Sequence, residues 1–196
     1  MKKLLFGIIL FSSVSVFQAN AQIISGGIKA EANGSGFFIS DIPGTKSNLG
    51  TGGTFGAFAK LDLAKHFALQ AELLFNYQES KLTIAGSKND FRYLGLEIPV
   101  YAMGQWYTAS GNRFYVGIGP YAGYGLQAKF TDAGTDLYGN DTLQPWDFGG
   151  KAIAGFEFAN GIQINAGYRV GLYNSSKQGA GKMLPQVMSL GIGYRF

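Results

Sequence analysis

Few residues in this 196-residue sequence have the type and spacing that chemistry requires. His66 is the only histidine, and beside Lys65 it has no serine partner with which to form a nucleophile–base pair. There is no cysteine, hence no disulfide and no thiolate metal site. Glu72 and Glu97 are of a type that could do acid–base work, but nothing around them marks a substrate cleft. Asp132, Asp136 and Asp141 are spaced too loosely for a calcium loop of the EF-hand kind. The glycines between Gly117 and Gly125 lie inside a strand-like segment, not between a strand and a helix, so no phosphate-binding loop is implied. These observations predict no catalytic residue, no cofactor and no metal.

The remaining charged residues fall into a pattern. Lys29, Lys60, Lys129, Lys151, Arg169 and Arg195 occupy one parity of apolar–polar alternation, as do Glu31, Asp62, Glu72, Glu97, Asp147 and Glu157. Six cations face six anions. A set of this kind is tolerated in a confined interior only when it is paired. It therefore predicts a salt-bridged lumen inside a closed wall. The network is placed on Lys29, Glu31, Lys60, Asp62, Glu72, Glu97, Lys151, Glu157 and Arg169, with Glu72, Glu97, Lys151, Glu157 and Arg169 nearest mid-barrel.

The elements that must position these residues are strands. Period-two alternation separates Phe67, Leu69, Ala71, Leu73, Phe75 and Tyr77 from Ala68, Gln70, Glu72, Leu74 and Asn76. The same test marks segments near 24–33, 54–63, 91–103, 114–129, 146–158, 162–173 and 188–196, which makes eight. Most are about ten residues or longer, the length a tilted strand needs to cross a bilayer. The apolar set faces outward and the charged set inward, the reverse of a lipocalin-like soluble barrel. Glycine, at 30 residues, is abundant, and inside a narrow barrel it makes room for large neighbours in the wall.

Connections alternate in length. Residues 64–66, 105–112 and 160–161 are short, whereas 34–53, 80–90, 131–145 and 174–185 are long, the pattern of short periplasmic turns and long outer loops. Both mature termini then fall on the periplasmic side. Aromatics gather near strand ends and predict two interfacial girdles: Phe75, Tyr77, Phe91, Trp146 and Phe148 at the long-loop end, and Phe67, Trp106, Tyr107, Phe114, Phe156, Phe158, Tyr194 and Phe196 at the other. Pro99 lacks a ladder donor, so a bulge or irregularity is expected there, and more mildly at Pro120. Phe37, Phe38 and Ile39 either extend the first strand above the membrane or form an exposed interaction site.

The N-terminus reads as an export signal. Lys2 and Lys3 precede an apolar run from Leu4 to Phe17 that is too short for a membrane helix, and Ala19-Asn20-Ala21 has the small-x-small form of a cleavage site. Residues 1–21 are expected to be removed, leaving 22–196 as one domain. Of the 16 Lys and Arg residues, 14 then remain against 12 Asp and Glu, scattered along the chain, which is no nucleic-acid footprint.

Tyr93-Leu94-Gly95-Leu96-Glu97-Ile98-Pro99-Val100, Gly119-Pro120-Tyr121 and the closing Gly191-Ile192-Gly193-Tyr194-Arg195-Phe196 together resemble the PorT-like outer-membrane β-barrel family. The resemblance spans nearly the whole mature chain and implies an eight-stranded up-and-down barrel of the OmpA/OmpX kind. It also implies an outer-membrane location in a Gram-negative bacterium, with lipid, lipopolysaccharide and the barrel-assembly machinery as partners. Tyr194 and Phe196 resemble the C-terminal signal read by that machinery. The functional expectation is a plugged barrel with a structural or surface-interaction role. A narrow pore or secretion-associated component is one alternative, and a soluble periplasmic lipocalin-like barrel is the other.

Overall fold

The computed structural model describes residues 24–40, 45–47, 50–84, 87–130, 144–172 and 182–196. Its strands are β1 (Ile24–Ser40), β2 (Thr45–Ser47), β3 (Gly50–Ala64), β4 (Phe67–Ile84), β5 (Ser87–Tyr107), β6 (Arg113–Phe130), β7 (Trp146–Glu157), β8 (Ile162–Gly171) and β9 (Lys182–Arg195). Each long strand pairs antiparallel with its chain neighbour, and β1 pairs with β9, so β1 and β3–β9 close into an eight-stranded barrel. β2 is a short addition on β4, pairing Thr45–Ser47 with Leu82–Ile84. No helix among the described residues is long and apolar enough to cross a membrane. Crossing by strands is the alternative that satisfies every backbone group without one.

The connections at one end are tight. Lys65 and His66 turn β3 into β4, residues 108–112 join β5 to β6, and 158–161 join β7 to β8. Two of these turns need a left-handed residue, supplied by Gly111 (φ 81°) and Gly161 (φ 89°). Their amides donate back to the carbonyls of Thr108 and Phe158. The start of β1 lies at the same end, where the Phe196 amide donates to the Gly26 carbonyl.

At the other end the strands run further than alternation indicates. β4 and β5 pair up to Ile84 and Ser87, so most of 80–90 is ladder rather than loop. β1 likewise continues through Phe37, Phe38 and Ile39, paired with Pro185, Leu184 and Met183. Backbone pairing does not require apolar–polar alternation, so a ladder can continue where the sequence pattern stops.

Pro99 brings the expected irregularity, a local lapse of pairing at Ile98 and Pro99 against β4 and at Val100 and Tyr101 against β6. The Pro99 side chain is fully buried in the lumen, and the register holds across it, from Ala71↔Val100 to Leu74↔Glu97 on one side and from Pro99↔Tyr121 to Ala102↔Ile118 on the other. No bulge forms there or at Pro120, which pairs with Gly150. One bulge sits higher, where Leu94↔Gln127 is followed by Gly95↔Gly125, and Leu126 is the extra residue; a second register shift lies between Asp62 and Ala64 on β3. Gly125 is buried, Leu126 and Gln127 are both exposed, and Ala128 is buried again. One inserted residue exchanges the two faces of a strand.

The outer wall is apolar, and its aromatics meet across strands as the register dictates. Phe55 stacks on Phe75 with centroids 5.3 Å apart, and Tyr124 meets Trp146 edge-on at 4.8 Å. Toward the short turns, Phe114 contacts Phe156 at 4.6 Å and Phe156 contacts Phe158 at 4.9 Å. Phe91 is paired with Phe130, and its side chain lies outside the described residues.

Candidate functional site: a layered barrel interior

The interior is built by the inward residues of all eight barrel strands and falls into layers. Toward the short turns, Arg113 pairs with Glu157 at 2.5 Å and donates to Gln105 Oε1 at 2.7 Å. Gln105 Nε2 donates to Asp62 at 2.7 Å, and Lys60 lies 2.8 Å from Asp62. Arg195 and Gln163 also reach Glu157, at 2.7 and 2.6 Å. This cluster ties β3, β5, β6, β7, β8 and β9 together.

Above it lies a layer that alternation did not single out. Ala68, Tyr101, Met103, Tyr115 and Ile153 form a buried apolar cluster in the lumen. Its rings fit because glycines stand opposite them. A β-carbon at Gly117 would strike the Met103 sulfur, and one at Gly155 would strike the Tyr115 ring. At the upper edge of the layer the Tyr101 hydroxyl donates to Glu72 at 3.5 Å.

Two further ion clusters follow. Lys29 Nζ lies 2.7 Å from Glu31 and 3.2 Å from Glu72, and Gln70 donates to Glu72 at 2.8 Å. Glu97, on β5, receives Lys151 from β7 at 2.8 Å and Arg169 from β8 at 2.5 Å, one cation on each oxygen. Since β5 and β8 are not neighbours, the Arg169 contact spans the lumen. Asn76 also donates to Glu97 at 3.1 Å, ending a chain that runs from Asn33 through Thr54. Arg169 lies 5.1 Å from the centroid of the Tyr121 ring, whose hydroxyl donates to Asp147 at 2.8 Å.

The expected network residues thus occupy three places. Lys151, Arg169 and Glu97 share one cluster, Lys29, Glu31 and Glu72 a second, and Lys60, Asp62 and Glu157 the third. Two residues change the inventory. Lys129 turns outward because the Leu126 bulge reverses its parity, and it pairs across strands with exposed Arg92. Arg113 turns inward and is 1% exposed. It lies on the inward parity of β6, one residue before the apolar pattern starts at Phe114, so extending the strand by one position would have found it. The six-to-six balance survives the exchange.

A small internal cavity, lined in part by Asn33, Gln78, Glu97, Arg169 and Ser189, has room for about one water centre. Asn33 Oδ1, Gln78 Nε2, Arg169 Nε and Ser189 Oγ are buried there without a protein partner. Polar atoms so placed suit a bridging water.

His66 sits in the β3–β4 turn, exposed, with Nδ1 2.9 Å from the Gln105 carbonyl oxygen. That contact fastens the turn to β5 and brings no nucleophile near. Among the described residues no group of His, Asp and Glu is placed to hold a metal ion. Asp132, Asp136 and Asp141 lie outside the described residues. Tyr194 and Phe196 are both exposed on the outer wall, with ring centroids 5.9 Å apart.

Comparison with known proteins agrees with this architecture. Residues 20–177 match the family model described as outer membrane protein beta-barrel domain. No curated protein matches the sequence. Among solved structures, Neisserial surface protein A (NspA) superposes with a TM-score of 0.52 at 17% identity, over 87% of this chain and 97% of that one. The outer membrane protein OprG from Pseudomonas aeruginosa gives a TM-score of 0.57 at 15% identity, over 89% and 97%. The outer membrane enzyme PagL also matches, at a TM-score of 0.45 and 12% identity over 84% and 98%, too low a similarity to bear on activity here.

Proposed function

The chain belongs to the outer membrane protein beta-barrel domain family, and from that premise we propose that it is an integral outer-membrane barrel with a closed lumen and a structural or surface-interaction role. The observation that carries the reading is Glu97, held from across the interior by Lys151 and Arg169. An ion entering the lumen would have to part these pairs and then cross the apolar layer of Tyr101, Met103, Tyr115 and Ile153. Both steps oppose permeation. Reconstituted in planar bilayers, the wild-type protein should give no sustained conductance. Steady ion currents from the unmodified barrel would favour the narrow-pore reading instead.

Finer assignments follow the same reading. The ordered Tyr93–Val100, Gly119–Tyr121 and Gly191–Phe196 segments support placement with PorT-like barrels. The alternation of turn and loop lengths supports periplasmic termini and outward long loops. Cleavage after Ala21 is checked by the mass of the protein purified from membranes, which should begin at Gln22. The exposed Tyr194–Phe196 pair supports recognition by the barrel-assembly machinery. Deleting Phe196 should lower the fraction of protein in cells that migrates faster unheated than boiled. An unchanged fraction would remove that role.

A further inference from the structure

Among strand residues whose side chains are described, charge appears on the outer wall at three positions, and they lie together: Glu79 on β4, Arg92 on β5 and Lys129 on β6. Glu79 pairs across strands with Arg92, and Arg92 with Lys129. Every other strand charge whose side chain is described faces the lumen. Lys129 joins the outer group because Leu126 is inserted into the ladder; without that bulge it would fall in register with Phe91, on the inward parity.

The height of the group is set by its neighbours. The next outward residues toward the membrane centre are Tyr77, Leu94 and Gln127, then Leu126 at the bulge, followed by the Tyr124–Trp146 ring pair. An aromatic girdle marks the boundary between hydrocarbon and headgroups. Charges immediately above it stand at headgroup level, where a lipid-facing charge is far less costly than at mid-membrane.

We propose that Arg92 and Lys129 form a site for the phosphate of an outer-leaflet lipid. The guanidinium offers a planar fork of donors to phosphate oxygens, and the ammonium a mobile point charge. Arg92 is pre-positioned. Its Nε and Nη2 donate to Glu79 Oε1 at 3.3 and 3.1 Å, and its guanidinium carbon lies 5.9 Å from the centroid of the Tyr77 ring. The Tyr77 hydroxyl donates to the same carboxylate. Glu79 therefore orients the arginine while competing for it, and the three groups leave one net positive charge facing the lipid. Leu94 and Leu126, just below, supply the apolar surface against which the first carbons of an acyl chain pack.

The inference rests on the outer-membrane reading with long loops outward, and unheated-versus-boiled migration of the same samples reports that reading separately. The protein is purified in detergent micelles doped with bisphosphorylated lipid A or its monophosphorylated form, and lipid retention is measured by native mass spectrometry. Arg92→Gln combined with Lys129→Gln should weaken retention of the bisphosphorylated lipid about 20-fold or more, as expected for two basic groups at an anionic surface. Glu79→Gln should strengthen it, an effect that impaired folding cannot mimic. Lys65→Gln, at the opposite end, should leave it unchanged. Retention by the folded double variant equal to wild type overturns the site. So does equal wild-type retention of the two lipids. Complete displacement by inorganic phosphate would mean an adventitious ion only and overturn the lipid assignment.

Discussion

The two faces of this wall meet opposite solvation problems with one alternating sequence. Inside, Lys29, Glu31, Glu72, Glu97, Lys151 and Arg169 are all buried, and each lies within ion-pair distance of an opposite charge. Outside, Ile118, Leu190 and Ile192 are each more than 60% exposed, a ruinous surface in water and the correct one in lipid. On the inner face the danger is losing a charge whose partner stays behind. On the outer face it is gaining one.

The contrast predicts an ordered series of effects. The largest follows from Glu97→Ala, which leaves Lys151 and Arg169 buried without their shared anion. Unfolding by urea in lipid vesicles, followed by fluorescence of Trp106 and Trp146, should show a loss of about 3–5 kcal/mol. A loss below about 1 kcal/mol would mean that the cations find other partners and the cluster is no clamp.

Next is Ile118→Arg, about midway between the outward rings of Phe114 and Tyr124 on the lipid face of β6, expected to cost about 2–4 kcal/mol in the same assay. An equal cost in detergent and in bilayers of different thickness would argue that the residue does not face hydrocarbon. A smaller effect tests the packing of the inner wall. A β-carbon at Gly95 would strike the ring and hydroxyl of Tyr93, so Gly95→Ala should cost about 1–3 kcal/mol through overpacking. Combining it with Tyr93→Ala should give less than the sum of the single changes, and strict additivity would break the steric account.

The smallest effect belongs to Glu79→Gln. Both members of the Glu79–Arg92 pair are about half exposed, so the unfolding midpoint should not move measurably. A marked loss of stability there would erase the distinction between the paired interior and the wet rim.

Legibility varied with environment. Phe67–Tyr77 was readable because lipid lies on one side and a polar lumen on the other, so each residue declares its face. The upper β4–β5 hairpin was not, because its sequence lacks the alternation while backbone pairing, which does not depend on it, continues to Ile84 and Ser87. Pro99 declares its ladder defect by residue type, and pairing lapses around it while the register on either side is kept. The defect that matters is Leu126, an ordinary outward residue by composition. Arg113 escapes the pattern because it opens β6 one residue before the first apolar position, Phe114, so a segment begun at that residue leaves it out.

The sequence alone determined the class of fold, the strand count of the barrel and the face of most residues, because these depend on period-two patterning and on segment length. It also determined that inward charges must balance, since an unpaired one is too costly to bury. Only the tertiary structure decided which charges meet. Lys29 reaches Glu72 over β3, and Arg169 reaches Glu97 across the lumen, through strand tilt and closure that no local pattern encodes. Only the structure placed an apolar layer between ion clusters, and only it turned Lys129 out beside Arg92. A single inserted residue reverses every side chain beyond it, and its position is settled by the neighbouring strand rather than by its own sequence.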